Sequence, residues 1–256
     1  MGRAIFLIFI VLILIIIMVP SMLFISNQND RVIMKNNLNL AAKVLINAVD
    51  KQVINMDELG EGYIKSIDYE IRVDRDRLLS EFYEVLFENV LEKSWYEEIK
   101  RDIKAKIIVY NDRFYICDNL DRWSPPYYFI DKYNGEPLYL NTMTDTACYY
   151  DDLGDKVSSD ISFFGISNAE KEDLIINKLN EQIVKYVMNE FKEGINIKIY
   201  NPHKPDGAYK AEYSRFNVLD GLTFFVVYVE NDVKSVFDNE IKLSNYQIAG
   251  YTLEDY

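Results

Sequence analysis

The chain has 256 residues, 49% of them apolar and 27% charged, enough to fold as one large domain or a small pair. Its 41 acidic side chains outnumber 28 basic ones, and the net charge of −13 excludes nucleic acid, which needs concentrated positive charge. One histidine, His203, and ten glycines supply neither a His-rich metal site nor a Gly-rich nucleotide loop, so no cofactor or metal is expected.

Ala4 to Val19 is an unbroken apolar run, and after Pro20-Ser21 it resumes over Met22-Leu23-Phe24-Ile25. Residues 4–25 would make about 33 Å of helix, enough for the hydrocarbon core of a bilayer. Pro20 falls late in the run, where freed backbone groups reach water or headgroups. Only Arg3 precedes it as a basic head, so residues 1–26 are expected to be an uncleaved transmembrane anchor. The rival is a signal peptide cut near Val19-Pro20-Ser21. Arg31, Lys35 and Lys43 follow the run and oppose an outside head on a strict charge count. The short polar head argues the other way. The expected topology is single-pass in the cell membrane, with the C-terminal domain extracytoplasmic.

Residues 27–55 form the next unit, an amphipathic helix. Met34, Leu38, Ala41, Ala42, Leu45, Ala48, Val49 and Val53 recur at spacings of three and four. This stripe either covers the domain's own sheet or docks a protein partner. The docking candidates are Met34, Leu38, Ala41, Leu45, Ala48 and Val49.

Residues 56–256 are expected to be an extracytoplasmic α+β domain, a mainly antiparallel sheet packed by helices. A strand is expected near Ile64–Val73 and a helix over Asp76–Glu92. The strands Ala105–Tyr110 and Arg113–Asp118 flank Asn111-Asp112, a pair that tolerates the positive φ of a tight hairpin. Asn134-Gly135 marks a second hairpin between Tyr127–Asp131 and Pro137–Thr142. Ser167 and Glu170 make a capping box, and the helix it starts steps through Ile175, Leu179, Ile183, Val187 and Phe191 before Gly194 stops it. A strand follows at Ile195–Tyr200. Asp220-Gly221 predicts a third hairpin, between Asn217–Leu219 and Leu222–Glu230. The latter is nearly all apolar and predicts a central strand covered on both faces. A last strand closes the chain near Tyr246–Leu253.

Cys117 and Cys148 are the only cysteines, the right number for one disulfide in an outside domain. Asp145, Asp151, Asp152 and Asp155 cluster without the spacing of a calcium loop and read as a solvated acidic loop. No nucleophile elbow, zinc-protease helix or phosphate loop is present, so the chain is read as a non-enzyme without catalytic residues. Twenty tyrosines exceed what a core of this size needs. In Tyr127-Tyr128 and Tyr149-Tyr150 each strand must send one ring to either face, so some rings are exposed. Exposed tyrosines suit recognition. A coding sequence rich in A and T accounts for them equally well.

Gly2 before the apolar run, Pro20 within it and the stripe from Met34 to Val53 give the first 54 residues a layout that resembles type IV pilins, pseudopilins and Tad-type pilus proteins. The layout is also similar to single-span accessory proteins of Gram-positive transfer machines. The pilin pattern carries basic residues before its processing glycine and a glutamate after it; neither is present here. The resemblance implies a membrane-anchored structural or assembly component of a bacterial surface apparatus, with protein partners. The alternative is a tethered binding module for a wall component or small ligand.

Overall fold

The computed structural model describes residues 18, 22, 29–47, 73–90, 93–191, 199, 217–219, 221–231 and 244–254. In chain order the helices are α1 (29–47), α2 (Arg75–Asn89), α3 (Lys93–Asp102) and α4 (Asn168–Phe191). Between α3 and α4 lie β1 (Ile103–Tyr110), β2 (Arg113–Cys117), β3 (Tyr127–Tyr128), β4 (Ile130–Tyr133), β5 (Glu136–Leu140), β6 (Thr146–Tyr150) and β7 (Lys156–Asp160). After α4 come β8 (Gly221–Asn231) and β9 (Ser244–Glu254). The architecture is α+β, with antiparallel sheets packed by helices.

A five-stranded sheet in the order β3-β2-β1-β8-β9 forms the middle layer. Its strands alternate between two apolar clusters, as a period of two requires. On β8, Phe225, Val227 and Val229 face one cluster, while Leu222, Phe224, Val226 and Tyr228 face the other. Both faces are covered, which is why LTFFVVYVE can be apolar throughout.

The first cluster joins that sheet to α4, through Ile175, Leu179, Ile183 and Val187, and to the four-stranded sheet β4-β5-β6-β7. Leu138, Leu140 and Ala147 are the second sheet's contribution. Its opposite face is not buried in either cluster.

The second cluster is roofed by α1, α2 and α3. Leu38, Ala41, Ala42, Leu45 and Ile46 of α1 are wholly buried against Phe82, Leu86, Phe224 and Val226. Ala41 and Ala42 let the helix approach closely, and the Asn39 carboxamide accepts the Gly250 amide proton at 2.9 Å. Gly250 is required there, because a Cβ would collide with Phe225. Asp74 caps α2 by accepting from the Arg77 amide at 3.1 Å.

Turn chemistry agrees with the sequence in several places. Asn111 has φ +51° in the β1–β2 turn, and Asn134 and Gly135 have +51° and +89° in the β4–β5 turn. Ser167 and Glu170 exchange the expected capping bonds, amide to carboxylate at 2.9 Å and amide to hydroxyl at 3.3 Å.

Elsewhere the sequence expectation needs correcting. Asn217–Leu219 is not a strand; it is a turn, tied down by the Asn217 amide donating to Thr252 Oγ1 at 2.9 Å. The solvated acidic loop, by contrast, agrees with the sequence: 151–155 is the exposed turn of the β6–β7 hairpin, whose Asp151 carboxylate accepts from the Leu153 and Asp155 amides, each at 2.9 Å. Cys117 and Cys148 are not joined. Cys117 belongs to β2 of the first sheet and Cys148 to β6 of the second, so the turn at Asn134-Gly135 folds the chain back without pairing their strands. The expected strands at Ile64–Val73 and Ile195–Tyr200 lie almost wholly outside the described residues, as does Gly194; Val73 and Ile199 are described and are not in strands.

Candidate functional site

Three places combine exposure or buried charge with defined geometry. The first is the outer side of α1. The expected docking stripe is a correction: Leu38, Ala41 and Leu45 are buried in the domain's own core, and Met34 packs half-buried beside them. Ala48 and Val49 lie outside the described residues. The same helix carries a second apolar stripe, Ile33, Leu40 and Val44, which are 43%, 42% and 42% exposed. At 3.6 residues per turn these three fall within about 40° of one another and opposite Ala42 of the buried stripe. They run for about 16 Å along the helix.

The second place is a buried lysine. Lys106 points from β1 toward α2 and is only 1% exposed. Its ammonium donates to Asp121 Oδ1 at 2.5 Å and to the Tyr83 hydroxyl at 3.1 Å, and that hydroxyl donates to the same carboxylate oxygen at 2.9 Å. Asp121 reaches this position with φ +61°, a left-handed conformation that aspartate tolerates better than most residues. Burial, followed by the Asp121 charge, raises the Tyr83 phenol well above its ordinary value, so it remains a hydrogen-bond donor. Cys117 sits opposite Lys106 across the β1–β2 ladder, and burial pushes its thiol up to about 12. An unreactive thiol and a lysine held by a carboxylate form a clamp between α2 and the sheet. They do not form a nucleophile and its base.

The third place is the open face of the four-stranded sheet. Pairing sets Tyr139 of β5 opposite Cys148 of β6, Cys148 opposite Ser158 of β7, and Tyr150 opposite Lys156. All five face away from Leu138 and Ala147. Tyr128, Tyr139 and Tyr150 make a ladder of edge-to-face contacts, with ring centroids 5.5 Å and 5.8 Å apart. Each tyrosine pair divides as the sequence predicts. Tyr127 stacks on Phe114 and Tyr149 packs on Phe164 in the core, while Tyr150 is 53% exposed.

Where this face meets the β1–β2 turn there is a small cleft of about 40 Å³. Asn111, Asp112 and Arg113 form one wall; Asn141, Lys156 and Ser158 are among the residues across from them. The wall is fixed, because the Asn111 carbonyl accepts from the amide and hydroxyl of Thr142 at 2.7 and 2.9 Å. Arg113 is held by Asp112 Oδ1 at 2.6 Å, and its guanidinium lies 5.1 Å from the Tyr128 ring centroid. Burial works against that charge, but the Asp112 hydrogen bond and carboxylate outweigh it and hold the guanidinium above its ordinary value. Sequence reasoning missed this cleft because it places no strand at Lys156–Asp160, where KVSSD offers a single apolar residue.

Among the described residues, no helix is long and apolar enough to cross a membrane; the 4–25 run lies outside them except for Met18 and Met22. No protein-family model, curated protein or solved structure matches the chain.

Proposed function

We propose that the protein is a membrane-anchored, extracytoplasmic structural or assembly component of a bacterial surface apparatus of the pilus-like, secretion or transfer kind. In this reading residues 4–25 span the bilayer and the described domain stands outside. The observation that supports it is the two-sided helix α1. Its inner stripe is built into the head, so the head is not hung on a free linker. Only residues 26–28 separate the apolar run from α1, a reach of at most about 14 Å. The head is therefore held near the membrane face, and the outer stripe of Ile33, Leu40 and Val44 is offered to a neighbouring protein. Position and contact are what an assembly part needs; a catalytic centre is not.

Substitution separates the two sides of the helix. Leu40→Asp with Val44→Asp is expected to abolish crosslinked products of the membrane-embedded chain while leaving its melting curve unchanged. Leu38→Asp is expected to lower the melting temperature itself. Crosslinking that survives the outer double substitution removes the assembly reading.

A second reading, a tethered binding module, is supported by the polar cleft beside Tyr139, which an assembly role does not use.

A further inference from the structure

We propose that the free edge of β4 takes up an extended segment of a neighbouring protein as a further antiparallel strand, seating one large apolar side chain of that segment between Phe129 and Leu174. The inference deepens the assembly reading and rests on it for the source of the strand. The outer stripe of α1 takes no part, so the two fail separately.

The argument begins with backbone groups. From Tyr127 to Tyr133 the chain has neighbours along one side only. β2 pairs with Tyr127 and Tyr128, the Asp112 carbonyl accepts from the Phe129 amide at 2.8 Å, and β5 pairs with the rest. Tyr133 and Glu136 flank the two-residue turn at Asn134-Gly135, so they form a hydrogen-bonded pair. Every second residue back from Tyr133 turns its backbone the same way: Asp131, then Phe129, whose carbonyl accepts from the Leu140 amide at 2.8 Å. Ile130 and Lys132 therefore turn their amides and carbonyls outward, where β4 is the outermost strand. Among the described residues nothing bonds to those groups. Such a row specifies its occupant more narrowly than apolar surface does, because another extended backbone is what satisfies it. Every strand pair in both sheets is antiparallel, and the added strand follows suit.

A cavity lies beside that edge. It holds about 180 Å³ between Phe129 and Leu140 on one side and Leu174, Asn177 and Lys178 of α4 on the other. A cavity of about 150 Å³ lined by aliphatic and aromatic side chains admits benzene, so this one has room for a leucine or phenylalanine side chain. Phe129 and Leu140 are buried, while Leu174 at the lip is 36% exposed. Phe129 packs on the inner side of the sheet. The residue opposite it in an added strand points the same way, into the cavity.

Charge narrows the segment further. Lys132 stands on the open face opposite Pro137, and the nearest acids of the hairpin, Asp131 and Glu136, point to the other face. An acidic residue opposite Lys132 supplies an ion partner that the hairpin does not. In an antiparallel segment it precedes the apolar residue by three positions. A second copy of β4 fits badly, since pairing over both free residues sets Asp131 against Asp131.

The test is calorimetric titration of the full chain in detergent micelles with the capped hexapeptide TETVFT. Its Glu falls opposite Lys132, its Val opposite Ile130 and its Phe opposite Phe129. Saturable binding is expected. Replacing the peptide's Phe by Ala is expected to weaken it by about tenfold or more, the worth of burying that ring. Methylating the backbone nitrogen of its Val, which would otherwise donate to the Ile130 carbonyl, is expected to weaken it by a similar factor. The methylated peptide is at least as apolar as the parent, so uptake into micelles cannot mimic that difference. On the protein, Lys132→Pro removes an outward amide proton and no ladder bond, so binding should be lost while the melting curve stays in place. Lys132→Gln keeps that proton and should cost about fivefold or less. No saturation, equal affinity for the methylated peptide, or binding that survives Lys132→Pro overturns the proposal. So does a dimer of the full chain that Lys132→Pro dissociates, because the edge then belongs to a second copy. Crosslinking through the outer stripe of α1 is read independently of all of these.

Discussion

The two sheets are built from the same chain under different rules. β8, and β1 from Ile107 to Tyr110, in the middle of the five-stranded sheet, are apolar on successive residues because helices lie on one side and α4 with the second sheet on the other. β4, β5 and β7 alternate or stay polar, because only one face of their sheet is covered. Packing consumes both faces of the first sheet, and recognition can use only what the second leaves open. The difference teaches where to look in a domain of this build: away from its most hydrophobic strand.

The comparison breaks most visibly if the two sheets are cut back in parallel. Phe224→Ala, in the doubly covered sheet, is expected to cost about 3–5 kcal/mol in a denaturant titration. Ile130→Ala, 46% exposed on the open face, is expected to stay within about 0.5 kcal/mol. Similar losses at both would mean that the open face is covered in solution.

A middling effect is expected at the clamp under α2. Asp121→Asn keeps a residue that tolerates positive φ but leaves the Lys106 ammonium without its carboxylate. The expected loss is about 2–3 kcal/mol, below the value for a wholly buried pair because Asp121 is 34% exposed. Adding Lys106→Met should restore most of it. If the double variant is no better than the single one, the clamp contributes through shape and not through charge.

The smallest effect belongs to the thiols. Native, non-reduced protein should show no disulfide by mass, and Cys117 should alkylate only on unfolding. The Cys117 proton is retained in the fold up to about pH 12, whereas an unfolded thiol loses it near 8.5. Above that lower value the unfolded state binds fewer protons, so stability falls as pH rises from about 8.5 toward 12. Cys117→Ser is expected to blunt that fall. An unaltered alkaline profile would place its cause elsewhere.

What the sequence showed and what it hid follow from the range of each signal. Turns are local, and Asn111, Asn134 and the Ser167–Glu170 box were legible because each acts over a few residues. β8 was legible because double burial demands an unbroken apolar run. α3 was not, since its stripe is only Trp95, Tyr96 and Ile99 in ten mostly charged residues, and Ile99 alone is buried. β7 was hidden because KVSSD has one apolar residue, β6 because its five residues TACYY are a short run, and the cleft was hidden with them. The inner stripe of α1 was visible, but periodicity alone does not say whether a stripe meets the chain's own sheet or another protein. The outer stripe at Ile33, Leu40 and Val44 was equally present at spacings of seven and four. It was masked by the richer stripe beside it.

The bond between Asn39 and Gly250 spans 211 positions, and it sets an order of events. A ribosome delivers α1 first and β9 last, so the inner stripe has no sheet to cover until nearly the whole chain has emerged. β1 likewise waits for β8, across more than a hundred residues. Contacts of such long sequence separation close slowly, because loop entropy is lost before any packing is gained. Until then α2, through Phe82 and Leu86, is what can shield the inner stripe, and the part that meets β8 stays bare beside the outer one. Nascent chains of this kind are prone to associate through the wrong stripe. A chain cut short before Gly221 would stay in that state, with apolar surface exposed for quality control to recognise.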